Sequence, residues 1–357
     1  MLKFHSLPVV QVQPEAEDAL GIALAVPAEL EQQFRASPGQ HIVLRAMIDG
    51  EETRRTYSLI NAPQERPLRI LARMQPGGRM SGFLSRLHAG ETLEVLPPNG
   101  SFTPHAGTLG AGIRVAFAAG SGITPVLSVA RSVLAAGGRM IVFYGNRSAA
   151  RTMGLEELEG LKDRYPDRLS LHFLMSREPQ EVELYNGRLD ADKVRELSAA
   201  FCAPQAVAEY FICGPGQMAE TVAGALAQLG VPAERIRIEH FTAVVPGETA
   251  ARPAGAQAKR EAAGLAQVTL TLDGRRRSFT MRLEEETVLD AAERAGLDLP
   301  FSCRSGVCST CRTKVVQGEV EMLQNYALED WEVAQGYVLA CQSRCKTAEL
   351  ELDYDEK

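Results

Sequence analysis

The stretch Pro300–Cys311, PFSCRSGVCSTC, brings three cysteines together in the pattern Cys-x4-Cys-x2-Cys. A fourth cysteine, Cys341, follows 30 positions after the third. This spacing is typical of plant-type loops that hold a two-iron two-sulfur cluster with four thiolates. Small residues between the cysteines let backbone N–H groups turn toward the sulfurs. The sequence therefore predicts a 2Fe-2S cluster bound by Cys303, Cys308, Cys311 and Cys341.

A structural zinc site is the alternative, because zinc can also take four cysteines. Zinc sites usually repeat a short cysteine pair in both halves. Here Cys341 and Cys345 are separated by three residues, so an unorthodox zinc pair stays open. We interpret Cys345 as a spare thiol rather than a ligand, and Cys202 as an ordinary buried thiol. The odd total of seven cysteines favours cluster binding in a reducing compartment over disulfides.

The length of 357 residues suits two or three domains, and 45% hydrophobic with 23% charged residues indicates a globular protein. The N-terminus has no signal-peptide pattern, and no run approaches the roughly 18 apolar residues of a membrane span. We therefore expect a cytoplasmic protein with no membrane partner. The formal net charge is −7. An acidic chain of this kind is not expected to bind nucleic acid.

The chain changes character three times, which predicts a multidomain protein. Residues 1–107 alternate β-like runs with Pro- and Gly-rich breaks and predict an antiparallel β-barrel. Residues 108–241 alternate apolar strands with helical segments and predict an α/β domain with a parallel sheet. Residues 242–264 have the composition of a linker. Residues 265–357 are expected to form an α+β, β-grasp-like ferredoxin domain around the cysteines.

Two local signals support the last domain. Asp273 and Gly274 stand between β-like runs and predict a two-residue hairpin turn, because both central positions need a positive φ. Thr287 is a plausible N-cap of the short helix that follows, and Gly296 is its stop.

A candidate flavin motif, Arg55-Thr56-Tyr57-Ser58, lies in a predicted barrel strand, where alternation puts Arg55 and Tyr57 on one face. An arginine for a phosphate and a tyrosine for an aromatic ring would suit a flavin nucleotide. By itself the motif is also compatible with a half-exposed strand.

A second candidate, the turn GGRMS, opens a short helical segment. Free N–H groups at a helix start can bind a pyrophosphate. The residues that we assign to this contact are Gly77, Gly78, Met80 and Ser81. An ordinary surface turn is the alternative.

A third candidate follows the apolar strand IRVAFAAG, where Gly120 and Gly122 permit a close backbone approach. Thr124 comes next, at the start of a predicted helix. The third glycine of the usual dinucleotide fingerprint is missing. The position after a strand still favours nucleotide binding.

The choice between NADPH and NADH depends on the ends of two later strands. Arg147 ends MIVFYGN, and Ser176 with Arg177 ends LSLHFLM, both at the carboxyl edge where such sheets bind ligands. An arginine there can hold a 2′-phosphate, whereas NADH sites usually offer an acid. NADPH is therefore favoured over NADH, with solvated strand ends as the alternative interpretation.

These signals in this order resemble the ferredoxin-NADP reductase superfamily, in which an Arg-x-Tyr-Ser strand and a Gly-Gly-x-x-Ser turn bind FAD. The resemblance implies that Ser58, Cys213 and Glu239 gather around the flavin and nicotinamide rings as catalytic residues. It also implies that Thr124 and Phe241 lie beside the cofactors.

The order of flavin, nicotinamide and cluster domains resembles the reductase components of bacterial multicomponent oxygenases. Segments such as SPGQH, AAGSGITP and NYALEDWEVAQGYVLACQ are similar to those of phenylacetyl-CoA epoxidase reductases in particular. The resemblance implies that electrons pass from NADPH through FAD and the 2Fe-2S cluster to a di-iron oxygenase partner in phenylacetate breakdown. A flavin is needed because NADPH gives two electrons as hydride and the cluster accepts one at a time.

Three other functions stay open at this point. The nearest is a reductase for a steroid or aromatic-ring hydroxylase, with NADH as donor in some forms. The others are a redox sensor without catalysis and a zinc-stabilised interaction module.

Overall fold

The computed structural model describes residues 3–105, 107–241 and 264–356. The described residues fall into two compact units: an N-terminal unit, residues 4–241, and a C-terminal unit, residues 264–356. The predicted linker 242–264 lies outside the described residues except for Gly264. In the described part of the chain, every helix is too short or too polar to cross a membrane.

The N-terminal unit begins with six antiparallel strands and one short helix. They are β1 (His5–Ala16), β2 (Ala19–Leu24), β3 (His41–Ile48), β4 (Glu51–Ser58), β5 (Leu68–Arg73), α1 (Arg79–Leu84) and β6 (Thr92–Asn99). The sheet order is β4-β3-β6-β1-β2-β5, and a bridge between Leu59 and Ile70 joins its two edges. Alternate residues such as Leu7 and Val9 point into the core. The predicted antiparallel β-barrel is therefore confirmed.

The second half of this unit is a parallel α/β sheet. Its elements are β7 (Ile113–Ala119), α2 (Ile123–Ala135), β8 (Arg139–Asn146), α3 (Leu155–Arg164), β9 (Leu169–Met175), α4 (Ala191–Phe201), β10 (Val207–Gly214), α5 (Gly216–Gln228) and β11 (Ile236–His240). The strand order β11-β10-β7-β8-β9 confirms the predicted doubly wound fold. The order reverses between β7 and β10, and ligands of such sheets bind at that reversal. The exact domain boundary at residue 107 stays a prediction.

Helix α2 joins the barrel to the sheet, which explains why it is apolar on nearly every side. Eleven of its residues are buried. Its valines share one hydrophobic cluster with sheet residues such as Phe211 and with Ile60, Leu71 and Phe102 from the barrel side. The Phe102 and Phe211 rings meet edge to face at 5.3 Å. The two halves of the N-terminal unit therefore share a core.

A buried ion pair fixes the segment that connects the two halves. The Arg114 Nε donates to the Glu209 carboxylate at 2.9 Å, and both side chains are almost completely buried. The other guanidinium N–H groups donate to the carbonyls of Thr108, Leu109 and Ala111. One arginine in β7 thus holds the incoming chain against β10.

The C-terminal unit is a small mixed sheet with two short helices. Its elements are β12 (Leu265–Leu272), β13 (Arg275–Arg282), α6 (Val288–Arg294), β14 (Arg312–Gln317), β15 (Val320–Met322), α7 (Asp330–Ala334), β16 (Tyr337–Leu339), β17 (Ser343–Cys345) and β18 (Glu349–Asp353). The sheet order is β13-β12-β18-β14-β16, with β12 and β18 parallel. This architecture confirms the predicted α+β domain.

Both local predictions in this unit are confirmed. Asp273 and Gly274 have φ values of 55° and 68° and connect β12 to β13. The Thr287 hydroxyl caps α6 by accepting a hydrogen bond from the Asp290 N–H at 3.2 Å. Gly296, with φ of 78°, follows the end of the helix.

Candidate functional site

The cysteine loop lies between α6 and β14 and turns sharply at three positions. Arg304, Gly306 and Ser309 all have left-handed backbone conformations, with φ of 55°, 76° and 49°. Such a φ is costly for non-glycine residues and persists only where the surroundings impose it. One result is that the Ser305 N–H donates to the Cys303 sulfur at 3.4 Å. The loop therefore turns a backbone donor toward a sulfur, as the small residues predict.

The four candidate ligands lie as two hydrogen-bonded pairs. A hydrogen bond from Cys308 lowers the pKa of the Cys303 thiol to about 5, and the pKa of Cys308 is raised well above its usual value. In the same way a hydrogen bond from Cys311 lowers the pKa of Cys341, and that of Cys311 rises. Four thiols are the donor set that a plant-type two-iron cluster requires.

Two of the three other thiols, Cys345 and Cys202, are buried and unreactive. Cys345 is buried and its thiol donates to the Thr347 carbonyl at 3.0 Å, away from the candidate ligands. Burial raises the pKa of the Cys202 thiol to about 11. The geometry agrees with the interpretation of both as thiols that do not bind metal.

In the N-terminal unit, the structure brings together the three residues that the resemblance names as catalytic. Ser58 ends β4, Cys213 lies near the end of β10, and Glu239 lies in β11. The Ser58 hydroxyl donates to Glu239 Oε2 at 3.3 Å, and the Cys213 sulfur lies 3.9 Å from the same oxygen. Barrel and sheet therefore meet at one carboxylate.

Cys213 is a neutral thiol in this environment. Burial, and to a smaller extent the negative charge of Glu239, raise the pKa of the Cys213 thiol well above its usual value. A thiol that stays protonated is a poor nucleophile. We therefore expect Cys213 to act by contact and shape rather than by covalent chemistry.

Sequence reasoning missed His41, which lies beside the same carboxylate. His41 is 2% exposed, pairs with Ser58 across β3 and β4, and places Nδ1 3.5 Å from Glu239 Oε1. A Cβ on Gly100 would lie 2.9 Å from its ring, so only glycine fits there. The available signal was its position in SPGQH, at the start of a strand that would pair with the Arg-x-Tyr-Ser strand.

The barrel end fits a flavin because several of its buried polar atoms make no hydrogen bond among the described residues. Within the described residues, neither ring nitrogen of His41 nor the side-chain amide of Asn99 makes a hydrogen bond. Buried polar atoms normally find partners, so such atoms indicate a bound group. Tyr57, whose pKa is raised by burial, packs against the barrel core on the same strand as Ser58. Buried polar atoms and an aromatic side chain therefore lie on neighbouring strand positions at this end of the barrel.

The other two residues of this strand motif are partly buried. The Arg55 guanidinium donates to the Arg54 carbonyl at 2.7 Å, and no carboxylate among the described residues pairs with it. Thr56 lies between Arg55 and Tyr57 and is half-buried. An arginine without an acidic partner fits the predicted phosphate contact.

In the glycine turn before α1, some residues pack tightly against the protein and Gly77 faces open space. A Cβ on Gly78 would lie 2.5 Å from the Ser81 hydroxyl, which is itself hydrogen-bonded to the Gln75 backbone. The Met80 side chain is buried in the barrel core. Gly77, with φ of 72°, faces open space. The turn therefore fits a pyrophosphate at Gly77 and the first N–H groups of α1.

The glycines after β7 also have separate roles. Gly120, with φ of 55°, faces open space, whereas a Cβ on Gly122 would lie 2.0 Å from the Cys213 carbonyl oxygen. Gly122 thus allows the end of β10 to touch the turn. The buried Thr124 donates to the Ser121 carbonyl at 2.9 Å.

Sequence reasoning missed Tyr144, which supports the same turn. Its hydroxyl donates to the Gly120 carbonyl at 2.8 Å.

The residues that were expected to select the nucleotide lie at the ends of β8 and β9. The Arg177 N–H donates to the Arg147 carbonyl at 2.9 Å, and the Ser176 hydroxyl donates to the Asn146 carbonyl. Both arginine side chains are exposed, and no described carboxylate pairs with either. Phe241 follows β11 and packs against the shared core.

Comparison with known proteins supports the same division of the chain. Residues 6–103 match the model of the oxidoreductase FAD-binding domain, and residues 117–224 match that of the oxidoreductase NAD-binding domain. Residues 270–346 match the model of the 2Fe-2S iron-sulfur cluster binding domain. The protein therefore binds FAD, a nicotinamide nucleotide and a 2Fe-2S cluster, which removes the zinc alternative.

Relatives resemble the chain over its whole length. A component of the 1,2-phenylacetyl-CoA epoxidase from Escherichia coli (strain K12) is 39% identical over 360 residues, covering 100% of this chain and 99% of that protein. The chain belongs to the reductase components of oxygenases. The ferredoxin reductase component of 3-ketosteroid-9-alpha-monooxygenase from Rhodococcus rhodochrous is 34% identical over 98% of this chain and 96% of its own length.

The solved structure of phthalate dioxygenase reductase is similar to this chain in its fold as well as in its sequence. It is described as a modular structure for electron transfer from pyridine nucleotides to [2Fe-2S]. Its TM-score is 0.58 at 26% identity, covering 98% of both chains. As an oxygenase reductase, this protein is an NAD(P)H-dependent oxidoreductase whose partner is an oxygenase.

Proposed function

We propose that this reductase takes electrons from NADPH and delivers them to the di-iron oxygenase of a phenylacetyl-CoA epoxidase system. The main observation that supports reductase chemistry is that Ser58 of the barrel and Cys213 of the parallel sheet both contact the Glu239 carboxylate. The partner is inferred from similarity to the component of the Escherichia coli 1,2-phenylacetyl-CoA epoxidase.

The residues of this site have separate tasks. Bound FAD supplies the ability to take up two electrons together and to release them singly. Ser58 and Glu239 supply a short hydrogen-bonded path for a proton at the buried end of the site. Cys213 and His41 fill the space around the carboxylate and exclude water from it.

The preference for NADPH rests on Arg147 and Arg177. Their side chains are exposed at neighbouring strand ends, and their backbones are joined by a hydrogen bond. Two guanidinium groups at this edge would attract a 2′-phosphate, which only NADPH carries. Glu178 follows Arg177, but its carboxylate accepts from the Ala149 N–H.

An anaerobic titration with each nucleotide tests this preference. We expect NADPH to bleach the flavin at lower concentration than NADH. The double variant Arg147→Gln with Arg177→Gln should raise the KM for NADPH by about 10- to 100-fold, the range of a lost charge-assisted hydrogen bond, and leave the KM for NADH unchanged. Arg86→Gln, at an exposed arginine, is the matched control. A wild-type protein that prefers NADH would contradict the assignment.

The identity of the oxygenase is tested by reconstitution. The purified reductase is mixed with the oxygenase component of a phenylacetyl-CoA epoxidase or, separately, of a 3-ketosteroid monooxygenase. We expect NADPH oxidation coupled to epoxide formation in the first mixture alone. Iron quantification and Mössbauer spectra of the active oxygenase then test whether its centre is di-iron. Coupling only to the steroid system would favour the rival partner, which the 34% identity to its reductase supports.

A further inference from the structure

Gln342 is a buried amide that touches both halves of the cluster site. It follows Cys341 directly and is 8% exposed. Its side-chain Nε2 donates to the Arg304 carbonyl at 2.9 Å and to the Cys341 sulfur at 3.7 Å. We propose that Gln342 is a positioning residue that joins the fourth ligand to the cysteine loop and makes the cluster easier to reduce.

The orientation of the amide follows from its neighbours. The Arg304 carbonyl can only accept a hydrogen bond, and a ligating sulfur is also an acceptor. The NH2 end must therefore face both, and the amide oxygen must point away.

The partner in the loop is a conformationally demanding residue. Arg304 has a φ of 55°, and its guanidinium is paired with Asp290 and Glu293 of α6. The Arg304 side chain is therefore anchored to α6, and its carbonyl accepts a hydrogen bond from Gln342. Gly306 packs against the same side chain, since a Cβ there would lie 3.2 Å from the Gln342 Cγ. One amide thus fixes the distance between the loop and the fourth cysteine.

The electrostatic consequence concerns the two oxidation states of the cluster. Reduction adds one electron, supplied by the nicotinamide nucleotide, and so adds one negative charge shared with the sulfurs. A hydrogen-bond donor aimed at a ligating sulfur stabilises the more negative state more strongly. Removing the donor should therefore lower the reduction potential. The backbone contact in which Gln342 accepts from the Leu323 N–H is independent of the side chain and remains in any variant.

Two substitutions separate this effect from simple packing. Gln342→Met keeps the length and removes the N–H groups, and Gln342→Glu keeps the shape but replaces the donor with a negative charge. At a fixed potential we expect the ratio of reduced to oxidised cluster to fall about tenfold in Gln342→Met, equivalent to about 59 mV for one electron, and further in Gln342→Glu. Potentials are measured by EPR-monitored redox titration of the full chain. Gln317→Met, at an exposed amide on β14, is the control.

A loaded Gln342→Met variant with the wild-type potential would overturn the proposal. If the variants do not load the cluster, the wild-type holoprotein decides. Glutamine labelled with 15N only in the side-chain amide should give a 15N coupling to the reduced cluster by pulsed EPR, and its absence overturns the proposal.

The inference rests on the proposed ligand role of Cys341. A Cys341→Ser protein with an unchanged EPR spectrum would refute that ligand assignment, whereas unchanged potentials in the Gln342 series refute only the role of the amide.

Discussion

The two sites of this reductase are built in opposite ways. The cluster site takes three of its four candidate sulfurs from one nine-residue stretch, Cys303–Cys311, of the C-terminal unit. The nucleotide site joins strands from two sheets of the N-terminal unit, and its Ser58 and Glu239 are 181 positions apart. The first depends on local backbone conformation, and the second depends on how a barrel packs against a parallel sheet. Substitutions should therefore act locally in one unit and at long range in the other.

The largest effect is expected from Cys341→Ser, because it removes one sulfur of the site. Reduction of cytochrome c through the cluster should fall to background, while NADPH-dependent bleaching of the flavin continues at the wild-type rate. Stopped-flow absorbance and EPR check both outcomes. Cys345→Ser is the control and should behave as wild type, since its thiol is bonded to Thr347. Loss of flavin reduction in Cys341→Ser would contradict the claim that the cluster site and the nucleotide site are independent.

The next effect tests action at long range in the N-terminal unit. Glu209→Gln leaves the Arg114 guanidinium buried without its counter-charge, which should lower the free energy of unfolding by about 3–5 kcal/mol. Urea unfolding followed by flavin fluorescence measures this loss. Asp192→Asn, which removes an exposed pair with Arg195, should change it by less than about 1 kcal/mol. An equal loss of unfolding free energy in both variants would show that burial does not determine how much these ion pairs stabilise the protein.

A smaller effect is expected at the carboxylate where barrel and sheet meet. Glu239→Gln keeps the shape but removes the proton acceptor beside Ser58, so flavin reduction by NADPH should slow by about 100-fold. Anaerobic stopped-flow gives the rate, and the cluster EPR spectrum should not change. Glu181→Gln, an exposed residue of the same unit, is the control. A wild-type rate in Glu239→Gln would remove this residue from the chemistry.

The smallest effect is local to the C-terminal unit. Thr287→Ala removes the cap of α6 and should destabilise that unit by about 1 kcal/mol. Calorimetry of the full chain measures the shift in the transition that accompanies loss of cluster absorbance. Thr287→Ser keeps the capping oxygen and should restore the wild-type value. An equal shift in both variants would point to the methyl group rather than the cap.

The same contrast explains what the sequence could predict. The cysteine spacing, the Asp273-Gly274 turn and the Thr287 cap are patterns of neighbouring residues, and the structure contains both turn and cap. His41 and Tyr144 were missed because their importance arises only after distant strands have paired.

Resemblance to a family, rather than periodicity or spacing, named Cys213 and Glu239. Gly122 is a further example: the spacing placed it in a nucleotide loop, whereas the structure shows that its missing side chain makes room for the carbonyl of Cys213. Close approaches of this kind between distant strands leave no local pattern in a single sequence.

The hydrogen bond of Cys345 has a consequence for the assembly of the protein. Iron arriving at the C-terminal unit meets five cysteines within residues 303–345, and a wrong choice of thiol would give a misregistered centre. Cys345 is fully buried and its thiol donates to the Thr347 carbonyl, a contact that a metal-bound sulfur would have to give up. We therefore expect this S–H···O contact to reduce the chance that iron takes the wrong thiol.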